Sequence, residues 1–66
     1  MSNEELLAWA RQEHELRLAD LKDRTVEGLQ RAQKNAKRRA REAGLSTNEA
    51  ARAVHLAGIE RRRNAA

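Results

Sequence analysis

The apolar positions of residues 3–43 recur every eleven residues along the chain. Three rows share this spacing, and they are Leu7, Leu18, Leu29 and Ala40; Ala10, Leu21, Ala32 and Ala43; and His14, Thr25 and Ala36. An eleven-residue repeat corresponds to about 3.67 residues per turn, close to that of a straight α-helix. The rows therefore merge into one stripe and predict a single long N-terminal helix over about residues 3–43.

Capping signals predict the ends of the helices. Ser2 and Glu5 form a capping-box pattern before the long helix. Gly44 lies where a glycine commonly ends a helix, and Ser46 with Glu49 repeats the capping box directly afterwards. The sequence therefore predicts a tight turn at 44–46 and a shorter second helix over about 47–63.

The two predicted helices each carry a face of small side chains. These faces are Ala32, Ala36, Ala40 and Ala43 on the first helix, and Ala50, Ala51, Val54, Ala57 and Gly58 on the second. Small side chains allow close approach, and a short turn favours antiparallel neighbours. We therefore expect an all-α fold in which the second helix packs back as an antiparallel helical hairpin, within a single domain over 1–66.

A second interpretation breaks the long helix near residues 23–28 and gives a three-helix bundle. Thr25 is suited to cap a new helix, and Gly28 weakens the continuity of a long one. The apolar stripe crosses this region without a shift in phase, which favours the single helix.

The apolar residues of the N-terminal half predict association with another chain. Half of the hydrophobic residues are alanine, so a chain of 66 residues buries only a small core by itself. Large apolar side chains lie on two sides of the first helix, which is typical of a helix with two neighbours. The predicted partner or oligomer interface comprises Leu6, Leu7, Trp9, Leu16, Leu18 and Leu21. Trp9 could pack inside a homo-oligomer or anchor a different protein.

Charge divides the chain into an acidic half and a basic half. Residues 1–30 carry a net charge of −3 and residues 31–66 carry +7. Five bases of the second half fall within about 120° of arc on the predicted helix, opposite its alanines, and these are Arg31, Lys34, Lys37, Arg38 and Arg41. Arg61, Arg62 and Arg63 add charge at the end of the second helix, which the hairpin would bring back toward Leu29.

A clustered basic helix face is typical of proteins that bind phosphates. We therefore expect nucleic-acid binding without catalysis, of the kind found in accessory proteins of phages or other mobile elements. Two alternatives remain open. The bases could merely solubilise an exposed face, or they could meet an acidic protein in an interaction module such as an adaptor, an inhibitor or an assembly subunit.

Two segments resemble known nucleic-acid-binding elements. Residues 34–42 (KNAKRRARE) resemble the arginine-rich RNA-binding helices of lambda-type antitermination N proteins, a likeness of nine residues that leaves DNA and RNA both open as the ligand. Residues 45–54 look like the opening of a helix-turn-helix motif. His55 and Arg61, however, occupy the positions where that motif has its central glycine and a core residue of its recognition helix.

The remaining chemistry predicts no enzyme, no cofactor and no small-molecule ligand. His14 and His55 have no metal-ligating neighbour at helical spacing, and cysteine is absent. The N-terminal residues lack the pattern of a secretory signal, and no apolar run approaches the roughly 20 residues that cross a bilayer. A cytoplasmic protein that does not enter membranes is the expectation.

Overall fold

The computed structural model describes residues 1–65 and contains three α-helices in these residues. They are α1 (Asn3–Asp20), α2 (Val26–Glu42) and α3 (Thr47–Ala65). The all-α class is confirmed. The single long helix over 3–43 is wrong, because the chain leaves the helical path after Asp20 and the three-helix interpretation holds.

The break between α1 and α2 is built from hydrogen bonds of its own. Thr25 is the N-cap of α2, and its Oγ1 accepts a hydrogen bond from the Gly28 amide at 3.0 Å. The Asp23 carboxylate accepts from the Thr25 hydroxyl at 2.7 Å and from the Thr25 amide at 3.1 Å. These bonds lower the pKa of Asp23. Local capping therefore outweighs the continuity of the apolar stripe.

Gly28 is needed for this break because the loop lies directly against it. Gly28 is buried, and a Cβ atom at this position would lie 2.5 Å from the Asp23 carbonyl oxygen. Only glycine permits that approach. Arg31 closes the same loop by donating from Nη2 to the Asp23 carboxylate at 2.8 Å.

The turn between α2 and α3 follows the prediction. Gly44 has a positive φ of 76°, a conformation that favours glycine. The amides of Gly44 and Leu45 donate to the carbonyls of Arg41 and Ala40, each at 3.0 Å, which is the Schellman pattern. Ser46 and Glu49 form the predicted reciprocal bonds of a capping box, and the pKa of Glu49 is lowered because its carboxylate accepts from the Ser46 amide.

The predicted antiparallel hairpin of the last two helices is wrong, because α3 packs mainly against α1. Helices α1 and α3 run parallel to each other. The Met1 ammonium lies 3.7 Å from the Glu49 carboxylate at the start of α3, and Arg11 binds Glu60 further along both helices. The break after α1 explains the difference, since a separate α1 can offer the large side chain of Leu6 to α3.

The core is small and rich in alanine. Its main cluster comprises Leu6, Ala10, Leu45, Ala53 and Ala57. Trp9 and Leu7 are half-buried against this cluster. The molecule measures 33 × 31 × 15 Å, so it is about half as thick as it is wide. With so little depth, most side chains lie near one of the two broad faces.

Candidate functional site

The basic residues predicted from the sequence lie on one exposed face of α2. This basic face comprises Arg31, Lys34, Lys37, Arg38 and Arg41. The opposite side of α2 faces the protein, where Ala32 is buried and Ala36 and Ala40 are half-buried. The break in the predicted long helix lies before α2, so all five residues of the basic face are still on one helix.

Three members of the basic face have no ion-pair partner among residues 1–65. Arg31 is paired with Asp23, and Arg38 lies 3.6 Å from Glu42 one turn away. Lys34, Lys37 and Arg41 are the unpaired members. Their i, i+3, i+7 spacing directs them to the same side of the helix.

Arg39 has a structural role that sequence reasoning missed. Its guanidinium donates two hydrogen bonds to the Glu13 carboxylate, at 2.7 and 2.8 Å, and a third to Asp20 at 3.2 Å. The exposed fractions of the Arg39 and Glu13 side chains are 17% and 5%, so this pair is largely enclosed between α1 and α2. The bond to Glu13 is the main reason that the pKa of Arg39 is raised. No sequence signal pointed to this pair, because its members are 26 positions apart and meet only when α2 packs on α1.

Ion pairing within the chain leaves an excess of free positive charge. Four of the fourteen Lys and Arg side chains are in ion pairs in residues 1–65, namely Arg11, Arg31, Arg38 and Arg39. Three acids of the N-terminal half are bound within the fold, with Glu13 and Asp20 on Arg39 and Asp23 on Arg31. Among these three, only Asp23 offsets a member of the basic face, and Lys34, Lys37 and Arg41 keep their charge unpaired in residues 1–65.

Arg61, Arg62 and Arg63 are exposed near the end of α3. Their predicted return toward Leu29 depended on the hairpin of the last two helices and is corrected with it. The end of α3 lies along α1, where Glu60 accepts two hydrogen bonds from Arg11 at 2.9 and 2.6 Å. Nothing in the contacts of residues 1–65 joins these three arginines to the basic face.

An apolar groove lies between α2 and α3 beside the basic face, and the sequence did not indicate it. Its volume is about 600 Å³. We define the apolar groove by its walls and floor, which are Trp9, Ala36, Ala40, Leu45, Ala50, Ala51 and Val54. Arg17, Lys37 and Arg41 also line it, so two residues of the basic face belong to its lining. Glu13 lies in the lining as well, but its charge is paired with Arg39.

The predicted interface residues fall into separate environments. Leu6 has no exposed surface, so no partner can reach it, whereas Leu7 and Trp9 are half-buried against the core. Leu18 and Leu21 line a shallow depression together with Leu29, and we call these three residues the leucine patch. Leu16 is also exposed. The structure therefore brings Leu18 and Leu21 together and separates them from Leu6.

Comparisons of this chain with protein-family models, curated proteins and solved structures gave no match. Within residues 1–65, no His, Asp or Glu side chains gather in a group of three that could hold a metal ion. None of the three helices combines the length and apolar character needed to cross a membrane. The basic face, the apolar groove and the leucine patch are thus the features from which a function can be argued.

Proposed function

We propose that this chain is a non-enzymatic nucleic-acid-binding protein whose basic face contacts backbone phosphates. The observation that carries the proposal is the row formed by Lys34, Lys37 and Arg41, which are exposed, on one side of a regular helix, and unpaired among residues 1–65. A positive charge with no internal partner can displace the counterions of a polyanion without first breaking a protein contact.

The geometry of α2 suits a run of phosphates. From Arg31 to Arg41 the basic face extends about 15 Å at 1.5 Å of rise per residue. Arg31 and Arg38 are held only by exposed carboxylates, so they can exchange those partners for phosphates at little cost. Contacts of this kind fix position and contribute affinity, but they do not read sequence. We also assign Arg61, Arg62 and Arg63 a supporting role through the general positive field.

The triple variant K34Q/K37Q/R41Q is expected to lose most nucleic-acid binding. Five phosphate contacts predict a slope of about −4 to −5 for log affinity against log salt on duplex DNA, and removing three contacts should reduce its magnitude by about 2.7. The measurement is a fluorescence-anisotropy titration with duplex DNA and with an RNA hairpin at several salt concentrations.

A matched control separates the basic face from net charge alone. The triple variant K22Q/R24Q/R52Q removes the same charge from exposed positions outside the basic face. Lys22 and Arg24 border the leucine patch described below, so sedimentation velocity must first show an unchanged mass in solution, and the variant should then keep the salt slope of the unmodified protein. Equal losses for the two triple variants would contradict a defined site on α2. Absence of binding by the unmodified protein at low salt would contradict the function itself.

We further propose that the leucine patch joins two copies of the chain. Leu18, Leu21 and Leu29 are 50, 37 and 44% exposed and lie together. Covering them would complete the small core, and two basic faces on one particle would strengthen binding to a long polyanion.

The variant L18E is expected to convert a dimer into a monomer, because it places a charge in the leucine patch. Sedimentation velocity gives the mass in solution, and Val26→Glu is the matched control at an exposed apolar position that does not line the depression. A monomeric unmodified protein, or a dimer that survives L18E, would contradict this part of the proposal.

The second candidate function, a protein-interaction module, is favoured by the apolar groove. Trp9 is the kind of side chain that anchors a partner, and it lines the apolar groove instead of filling the centre of the core.

A further inference from the structure

We propose that the apolar groove binds an acidic amphipathic helix of another protein. This proposal does not depend on nucleic-acid binding. It uses the groove between α2 and α3, whereas the proposed function uses the outward side of α2. The two surfaces share only Lys37 and Arg41.

The walls of the apolar groove are suited to a helix because they are made of small side chains. Ala36 and Ala40 are one turn apart on α2, and Ala50 and Val54 are one turn apart on α3. Rows of this kind leave a channel into which the side chains of a third helix can pack. The molecule is only 15 Å thick, which leaves no room for a second layer of residues 1–65 over the groove.

Trp9 is the largest apolar side chain that lines the groove. It comes from α1, whereas the residues of α2 and α3 that line the groove are mostly alanine. A buried Trp at the centre of a contact commonly carries much of its binding energy. Helix-in-groove recognition uses apolar anchors at i, i+3 or i+4, and i+7, and Trp9 with Leu45 and Val54 can receive such a row.

The charges in the lining of the groove favour an acidic partner. Arg17, Lys37 and Arg41 have no ion-pair partner among residues 1–65, and all three line the groove. The single acid in the lining, Glu13, is neutralised by Arg39. Acids beside the apolar row of an incoming helix would therefore meet cations and no free carboxylate, which favours that partner over a neutral or basic one.

A second copy of the chain does not fit this requirement. The acids of residues 1–65 outside ion pairs are Glu4, Glu5, Glu15 and Glu27. Glu5 accepts from the Ser2 amide and hydroxyl, and Glu27 lies in the first turn of α2, where the helix dipole favours it. The acid-rich row that the groove calls for is absent from these residues, so the partner is a different protein.

The test uses a displayed library of randomised helical peptides, selected on the full chain and counter-selected on the variant A51E. Ala51 is exposed and lines the groove, so a glutamate there repels an acidic helix without disturbing the core. Ala8→Glu, at an exposed position of α1 outside the groove, is the matched control. We expect enriched peptides to be acidic, with apolar residues at i, i+3 or i+4, and i+7.

Binding of an enriched peptide is then measured by the fluorescence of Trp9, the only aromatic residue of the chain apart from its two histidines. Burial by the peptide should shift its emission to the blue. A51E should weaken binding at least about tenfold, which corresponds to 1.4 kcal/mol, whereas A8E should change it less than about twofold.

Several results would overturn the proposal. These are enrichment of basic or uncharged peptides, equal binding to A51E and to the unmodified chain, and no enrichment on the unmodified chain over A51E. A shift of Trp9 emission by a single-stranded oligonucleotide, with none by the peptides, would assign the groove to nucleobases instead. Because A51E leaves the basic face intact, these outcomes are separate from failure of K34Q/K37Q/R41Q to reduce nucleic-acid binding.

Discussion

Arg39→Ala is expected to lower the free energy of unfolding by about 3–5 kcal/mol, because it leaves Glu13 as a nearly enclosed carboxylate without its partner. The Glu13 side chain is 5% exposed, and its carboxylate accepts two hydrogen bonds from Arg39, the cation that balances its charge. A domain of 66 residues has a total stability of roughly 3–10 kcal/mol. The loss is therefore about a third or more of the total stability, and urea denaturation followed by far-UV circular dichroism should show a midpoint at a much lower urea concentration.

Two further variants make this expectation specific. Arg38→Ala changes the neighbouring residue, whose carboxylate partner Glu42 is exposed, and should cost less than about 0.5 kcal/mol. The double variant E13L/R39M removes both charges and should recover most of the loss, since apolar replacements of a buried ion pair are often as stable as the pair. Equal effects of R38A and R39A would show that the enclosed ion pair does not form.

Leu6→Ala is expected to cost about 2–5 kcal/mol of unfolding free energy, since it deletes the largest fully buried side chain and leaves a cavity. Leu6 has no exposed surface and packs in the cluster with Ala10, Leu45, Ala53 and Ala57. Three of these four neighbours are alanines, whose methyl groups cannot extend into the space that Leu6 leaves. The same urea denaturation measures the effect.

Leu16→Ala is the matched control for Leu6→Ala. Leu16 lies on the same helix but is 47% exposed, and its replacement should change stability by less than about 0.5 kcal/mol. A loss below about 1 kcal/mol for L6A would show that α1 does not pack on α3 through this residue.

Much of the local structure could be predicted from the sequence, because its signals are short-range. The capping boxes at Ser2 and Ser46 and the helix-ending Gly44 all take the conformations that their chemistry favours. The break before α2 was also signalled locally, by Thr25 and Gly28. In the sequence, the apolar stripe nevertheless favoured one continuous helix. The members of the stripe have different environments in the folded chain: Leu18 and Leu29 are exposed, whereas Ala10 and Ala32 are buried.

The tertiary arrangement could not be predicted in the same way, because alanine faces look alike. Both α1 and α2 have an apolar side against which α3 could pack, and the periodicity of apolar residues does not determine which of the two helices it contacts. The choice depends on Leu6, whose side chain is buried in the cluster with Ala53 and Ala57 of α3. The exposed Arg11–Glu60 contact, which joins residues 49 positions apart, accompanies this packing. The basic face needed only the period of one helix and was predicted, whereas the apolar groove needs three helices in place and was not.

The enclosed pair of Arg39 and Glu13 helps to select one position of α2 along α1 from several positions of similar packing energy. An interface lined by methyl groups is almost uniform from turn to turn, so one helix could slide along another by a full turn with little change in buried area. Two parallel hydrogen bonds from a planar guanidinium tolerate no such displacement. The pair of Arg39 and Glu13 therefore holds α2 in register on α1.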